Sequence, residues 1–341
     1  MPIFFVTGGA GFIGSAFVRL LLDDLPDCRI LNFDALTYAG NLDNLEGLDQ
    51  QRHHFHRGDI ADPAAVLQVL PKDCDAIINF AAESHVDRSI ANAAAFLRTN
   101  ITGTQVLLDA ARERGVKRFV QVSTDEVMGS LPEDENAFFV EQSPFAPNSP
   151  YAASKAAAEH LVRAAHHTFG LDTVVTRCGN NYGPRQFPEK FLPLAISNAL
   201  NDQPIPVYGD GRNVRDWIYV DDHCRAILVA LEQGRPGAVY NIGARNERRN
   251  VDVVESLLTS LGKPRSLISF VKDRPGHDRR YAIDPSLIET ELEWRPRETW
   301  ESGLQKTIAW YQDHAGWLER TRSGAYREYY RSQYGTEAGA V

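Results

Sequence analysis

Tyr151 and Lys155 lie four residues apart at the start of an alanine-rich stretch, so a helix there sets both side chains on one face. A lysine ammonium beside a phenol lowers its pKa from about 10 toward neutrality, making the tyrosinate a usable base for a hydroxyl proton. By spacing alone the pair also describes a surface contact on an amphipathic helix. Its position argues for chemistry: it follows an apolar run ending in Ser123-Thr124, and open α/β sheets bind ligands at the carboxyl ends of their strands. Thr124 is then placed to hydrogen-bond the oxygen that Tyr151 deprotonates. Asp125 and Glu126 come next, and hydride transfer does not require two adjacent carboxyls. If burial and mutual repulsion separate their pKa values, one can act as a general acid and the other as a general base. The plainer alternative is a solvated turn.

A second group of residues is suited to a pyrophosphate. Thr7-Gly8-Gly9-Ala10-Gly11-Phe12-Ile13-Gly14 joins an apolar run to a helical one. In that context Gly9 makes the tight turn, Gly11 admits the phosphates and Gly14 allows close packing, while the helix start offers free N–H groups. Asp34, twenty residues after Gly14, is where a carboxylate would accept from an adenosine ribose; it would repel a 2′-phosphate, which favours NAD over NADP. Asp59 in Gly58-Asp59-Ile60 is placed to bond the adenine amino group. Ala35, Leu36 and Thr37 after Asp34, Ile60 after Asp59, and Phe80 complete the coenzyme contacts expected on this side.

The elements that must position these groups are legible as periodicity. Segments 3–6, 30–33, 76–80 and 119–122 are continuously apolar, as strands covered on both faces are, and 173–177 reads as another. Helical spacing fits 12–23, 63–70, 99–114 and 152–169. Repeated strand–helix–strand units predict an α/β fold, a doubly wound parallel sheet of Rossmann type with right-handed crossovers. After Cys178 the pattern breaks into segments rich in Pro, Gly and Asn, with a helix at 222–231 and a strand at 239–242. The expected division is a dinucleotide-binding domain over 1–178 with a return at about 216–243. A smaller α/β substrate lobe follows from 179–215 and 244–330, with a tail at 331–341.

Together the glycine turn, the Tyr/Lys pair and Thr124 resemble the extended short-chain dehydrogenase/reductase family over nearly the whole chain. The Thr124-Asp125-Glu126 run sharpens the likeness to nucleotide-sugar 4,6-dehydratases acting on dTDP-glucose. That resemblance implies Tyr151 as base at carbon 4 with Thr124 assisting, Asp125 as general acid and Glu126 as general base. It also implies NAD kept tightly bound through a cycle in which hydride leaves carbon 4 and returns to carbon 6. Ala81 and Ala82 would let the coenzyme approach, with Thr99 and Asn181 facing it; Ser84 would touch substrate as well as coenzyme. Asn180, Lys190 and Phe191 resemble the stretch that holds the sugar diphosphate. Pro206, Val207, Tyr208 and Arg215 resemble the base- and phosphate-binding edge, where a guanidinium presents paired donors to phosphate oxygens. Asn250, Asp273, Arg274 and His277 complete the substrate set. One departure is plain: Met128 stands where the family usually has Tyr, removing a hydroxyl near the carboxylates and adding a flexible apolar chain.

Bulk properties narrow the alternatives. At 341 residues, 43% hydrophobic and 24% charged, the chain is long enough for more than one core and ordinary for a globular protein. A net charge of −9 argues against a nucleic-acid partner, and no apolar run reaches the roughly 18 residues of a membrane span. The expected location is cytoplasmic. Cys28, Cys74, Cys178 and Cys224 lie far apart and read as reduced, buried thiols; alternation separates His53 from His54 and His56, so no metal is expected. Rival readings are a nucleotide-sugar 4-epimerase, a UDP-glucuronate decarboxylase, or an NAD-binding sensor without turnover. Asp125 argues against the first two, and retention of both Tyr151 and Lys155 against the third. Small apolar residues on the 99–114 and 152–169 helices, together with the family's habit of pairing them, predict a homodimer.

Overall fold

A computed structural model describes residues 1–133 and 136–322. The tail expected at 331–341 and the end of the second lobe lie outside the described residues. Strands β1 (Ile3–Thr7), β2 (Arg29–Asp34), β3 (His53–Arg57), β4 (Ala76–Asn79), β5 (Arg118–Thr124) and β6 (Thr173–Cys178) alternate with helices. They form a parallel sheet in the order β3-β2-β1-β4-β5-β6, with β10 (Val239–Ile242) added beside β6. Both faces are covered, which is why β1, β2 and β4 read as unbroken apolar runs: Phe5, Val6, Ile30, Ile77 and Ile78 are all fully buried. Strand order reverses between β1 and β4, opening a crevice at their carboxyl ends.

The helices that carry the site have clear local causes. Gly11 caps Phe12–Asp24 without any side-chain bond, leaving the first-turn N–H groups free. Ser149 caps Pro150–Phe169 through Ala152 N at 3.1 Å, and Pro150 occupies the first turn, where its missing N–H costs nothing. The helix expected from residue 99 begins differently: Leu97–Gly103 is wound as a π-helix, and α-helix runs only over Thr104–Arg114. Apolar spacing cannot distinguish a π turn from an α turn over so few residues.

Beyond Cys178 the chain builds small sheets at the mouth of the crevice. β9 (Val214–Tyr219) lies between β7 (Asn180–Tyr182) and β11 (Glu247–Arg249), and β8 (Ile205–Tyr208) pairs with β12 (Ile268–Val271). These strands and the helices Phe191–Leu200, Asn250–Leu261 and Trp300–Asp313 share a second core that includes Tyr182, Trp217, Leu257 and Trp300. Two details differ from expectation. The return to the large sheet begins with the helix Val220–Gln233, because β9 before it belongs to the small sheet. Ile288, Leu292 and Trp294 pack in the first core with Tyr240 and Ile242, so residues after 284 do not all belong to the second lobe.

Candidate active site

At the end of β1 the turn is made by Gly8, whose φ is +70°, and not by Gly9 as the sequence suggested. A β-carbon at Gly8 would fall 2.6 Å from Ala81 N, and one at Gly14 would fall 2.2 Å from Gly8 O. Gly11 has nothing nearer than Gly8 O at 3.3 Å and lies open to the crevice. Asp34 closes the far side: Oδ2 accepts from Ala10 N at 2.9 Å and Oδ1 from Leu36 N at 2.8 Å, which fixes the loop and leaves further lone pairs facing the cavity. Burial raises the Asp34 pKa, opposed by those two N–H groups. Ala35, Thr37, Asp59, Ile60, Phe80, Ala81, Ala82 and Thr99 line the same cavity. Asp59 also accepts from Ala61 N at 2.8 Å and pairs with Arg98, a cation the sequence reading did not single out. Phe12, Ile13 and Leu36 do not line it. Phe12 and Ile13 pack against the core, so only their helix-start N–H groups remain to serve an anion. A glycine cradle, free helix N–H groups and a carboxylate on the cavity wall fit an adenine dinucleotide.

A second cavity begins at Ser84, one residue on from Glu83 in the wall of the first, and runs under the small lobe. Asn180, Asn181, Lys190, Phe191, Pro206, Tyr208, Arg215, Asn250, Arg274 and His277 all line it. Ser84 and Asn181 thus line this second cavity and not the first, the Asn181 amide being tied to His223 Nδ1 at 2.8 Å and to Gly179 O at 3.2 Å. Val207 does not line the cavity. Alternation along β8 turns Pro206 and Tyr208 inward and sends the Val207 side chain into the second core, where it is fully buried. Asp273 is likewise absent from the wall; it holds His277 Nδ1 at 2.6 Å from outside. Arg215 is buried, donating to Asp278 O at 2.8 Å with its guanidinium 4.2 Å over the Tyr281 ring. Tyr208 Oη donates to Asp87 at 3.0 Å, and Arg274 lies 3.5 Å from the same carboxylate, joining the two lobes across the cavity.

Beside this cavity β5 ends and the catalytic candidates converge. Thr124, Asp125, Tyr151 and Lys155 are all buried, and Glu126 is half-buried in the wall. Thr124 Oγ1 donates to Asp125 Oδ1 at 3.2 Å and accepts from Glu126 N at 3.3 Å, while Asp125 Oδ2 has no partner. Lys155 Nζ donates to Val122 O at 2.7 Å. Both carboxyls are raised by burial, in different surroundings. Burial and then repulsion from Glu126 push Asp125 well above the usual carboxylate range; burial also raises Glu126, but Arg274, Arg215 and Lys190 oppose it. The phenol departs from expectation: burial, Glu126, Cys178 and Asp125 hold Tyr151 well above its usual value, and Lys155, itself lowered to about 8 by burial, does not overcome them.

Tyr281 was not visible in the sequence. It lines the second cavity and is anchored by Oη to Asp278 Oδ2 at 2.5 Å, yet no motif marks it. Met128 faces away from the cavity into a small core with Phe139, Ala156, Tyr281 and Ile283. His53 is buried against Asn32 Nδ2 at 3.0 Å, and no cluster among the described residues gathers metal ligands.

A family model described as GDP-mannose 4,6 dehydratase matches residues 5–307. A dTDP-glucose 4,6-dehydratase from Xanthomonas campestris pv. campestris (strain B100) is 50% identical, covering 96% of this chain and 98% of that protein. The chain belongs to the dTDP-glucose 4,6-dehydratase family. Among solved structures, DesIV (dTDP-glucose 4,6-dehydratase) from Streptomyces venezuelae, with NAD and TYD bound, superposes with a TM-score of 0.90. It is 49% identical, covering 94% of this chain and 99% of that one. A UDP-glucose 4-epimerase from Thermus thermophilus in complex with NAD shares the fold at a TM-score of 0.83 with 30% identity, covering 92% of this chain and 99% of that one. The dehydratase match is thus the stronger by sequence on a scaffold both classes use.

Proposed function

We infer that the chain is an NAD-dependent hydro-lyase that converts dTDP-glucose to dTDP-4-keto-6-deoxyglucose and water. One observation carries the reading. Glu126 lines the arginine-containing cavity at the end of β5, with Asp125 next to it tied to Thr124 and the Tyr151 phenol within reach of both carboxyl charges. Bound NAD supplies a reversible hydride acceptor for carbon 4 and donor for carbon 6.

The chain's residues handle the protons. Tyr151 takes the carbon-4 hydroxyl proton, assisted by the Lys155 charge. Glu126, whose pKa burial raises against the pull of three cations, removes the acidified carbon-5 proton. Asp125, held protonated by its surroundings, gives its proton to the carbon-6 hydroxyl as that leaves. Arg215, Lys190 and Arg274 hold the diphosphate, and Pro206, Tyr208 and Asn250 hold the nucleoside end. The residues around β1–β6 carry the coenzyme, and the small sheets carry the sugar nucleotide. An epimerase would have no use for the buried acid at Asp125.

We also propose a homodimer and a cytoplasmic location. Leu97 and Ile90, 49% and 41% exposed near the paired helices Thr104–Arg114 and Pro150–Phe169, support an apolar contact; light scattering on the eluted protein tests it. Four buried, unpaired cysteines support a reducing compartment, which cell fractionation tests. The activity is tested by separate incubations with dTDP-glucose, UDP-glucose, GDP-mannose and UDP-N-acetylglucosamine. A 4-keto-6-deoxy product from dTDP-glucose is expected; turnover of UDP-glucose to its epimer without water loss would reject the reading.

A further inference from the structure

Between its two transfers the hydride resides on the coenzyme, so the reduced form must not escape before it is returned. The loop after Asp34 walls the coenzyme cavity through Ala35, Thr37, Ala39 and Gly40. Tyr38, in the middle of that loop, points elsewhere. It is half-buried, with the Arg88 guanidinium carbon 4.2 Å from its ring centroid and the Phe187 ring edge-on at 5.8 Å and 82°.

Arg88 and Phe187 come from opposite lobes. Arg88 lies in the short helix Val86–Ala91 after β4, and Phe187 in the segment that leads into the helix Phe191–Leu200 of the small lobe. The same guanidinium donates to Glu189 Oε2 through Nε at 3.1 Å and Nη2 at 2.9 Å. The Glu189 side chain is wholly buried, against 30% exposure for Arg88, so losing the guanidinium would strand its charge. Arg88 therefore holds the coenzyme loop with its flat face and the small lobe with its edge.

The residues beside this junction reach the second cavity. Lys190, next to Glu189, donates through Nζ to Ser84 O at 2.8 Å. Asp87, next to Arg88, accepts from Tyr208 Oη at 3.0 Å and lies 3.5 Å from Arg274. Ser84 and Asp87 form one wall of that cavity, and Lys190, Tyr208 and Arg274 form the other. A nucleotide diphosphate touching both walls adds bonds that exist only while the lobes are together, so it favours the closed arrangement. We propose that Arg88 latches the coenzyme loop to the small lobe, so that a nucleotide in the second cavity locks NAD(H) in the first until the hydride has returned. Arg88 lines neither cavity and acts as a positioning residue, through Tyr38 and Glu189.

The inference rests on the sugar-nucleotide reading of the second cavity, and the test separates the two. Exchange of bound NAD for deuterated NAD is followed by mass spectrometry on the holoenzyme, with and without saturating dTDP, and dTDP binding is measured independently by calorimetry. In the parent, dTDP is expected to slow exchange about tenfold or more. Arg88→Met and Tyr38→Leu should bind dTDP yet exchange at nearly the same rate with and without it. Tyr38→Phe, which keeps the aromatic face, should behave as the parent. If Arg88→Met does not fold, the two Tyr38 variants decide alone. Binding of dTDP by the parent without slower exchange overturns the latch. Slowing as large as the parent's in Arg88→Met and Tyr38→Leu overturns it too, even where both rates have risen by one common factor. A parent that binds no dTDP instead overturns the reading of the cavity itself.

Discussion

Arg177 grips Glu159 directly beneath the catalytic strand end, with Nη2 at 2.8 Å and Nε at 3.0 Å from Oε2, while Ser123 Oγ donates to Oε1 at 2.5 Å. Both side chains are almost wholly buried, at 4% and 3% exposure. Removing one partner strands the other's charge in the core. Glu159→Ala is expected to cost about 3–5 kcal/mol in urea unfolding, and replacing both residues by apolar ones of similar volume should recover most of that loss. A loss under about 1 kcal/mol in the single variant would show that the pair is not structural.

Coenzyme retention should depend on Gly14. Its added β-carbon would fall 2.2 Å from the Gly8 carbonyl oxygen, a backbone atom with no flexible end to move aside. Gly14→Ala should therefore purify with little or no NAD, read from the nucleotide released on denaturation. A full complement of NAD in that variant would mean that the loop tolerates displacement.

The two half-reactions should separate by mutation. Asp125→Asn is expected to slow dehydration by about 10²–10⁴-fold while carbon 4 is still oxidised, so reduced-coenzyme absorbance should accumulate after substrate is added. Tyr151→Phe should prevent that accumulation. Equal loss of both half-reactions in Asp125→Asn would contradict the proposed division of labour.

Lys155 sets a pH dependence whose sign follows from its burial. Its pKa falls to about 8, chiefly through burial and against the attraction of Glu159. Below that pH the ammonium is present and favours the phenolate; as pH rises through about 8 the charge is lost. An alkaline decline in kcat/KM centred near 8 is expected, and should be missing from the residual activity of Lys155→Met. For stability the folded value lies below the ordinary 10.5, so the unfolded chain binds more protons in between. This group's contribution to stability therefore falls as pH drops from 10.5 to about 8.

Five of the first six strands were legible because burial on both faces writes itself as uninterrupted apolar runs, and their boundaries fall within about two residues of the structure; β3, with three histidines and an arginine in five residues, carries no such run. The same logic failed where one residue decides orientation. Val207 and Tyr208 are neighbours in a recognisable segment, but only the register of β8 says that Tyr208 faces the cavity and Val207 the core. Gly8 and Gly9 pose the same difficulty, since composition marks a turn without saying which residue takes the positive φ. Tyr281 reaches the site through tertiary packing alone, beside the bridge between Val214 and Arg280, and nothing local announces it. The raised phenol was missed for a related reason. Helical spacing revealed Lys155 as a neighbour, but burial and the two carboxyls, which outweigh it, become apparent only once the chain is folded.

Strand β10 has a consequence for how members of this family could exchange parts. It pairs with β6 only after the chain has visited the small sheets, so residues up to Cys178 alone would leave that flank of the sheet bare and prone to pairing with foreign strands. A chimera broken once after Cys178 takes its β10 from the other parent and must pair it with a foreign β6. One that swaps the sugar-recognition segments between two breakpoints, leaving 220–242 in place, preserves the sheet, and new substrate specificity would have to enter such a lineage as paired crossovers.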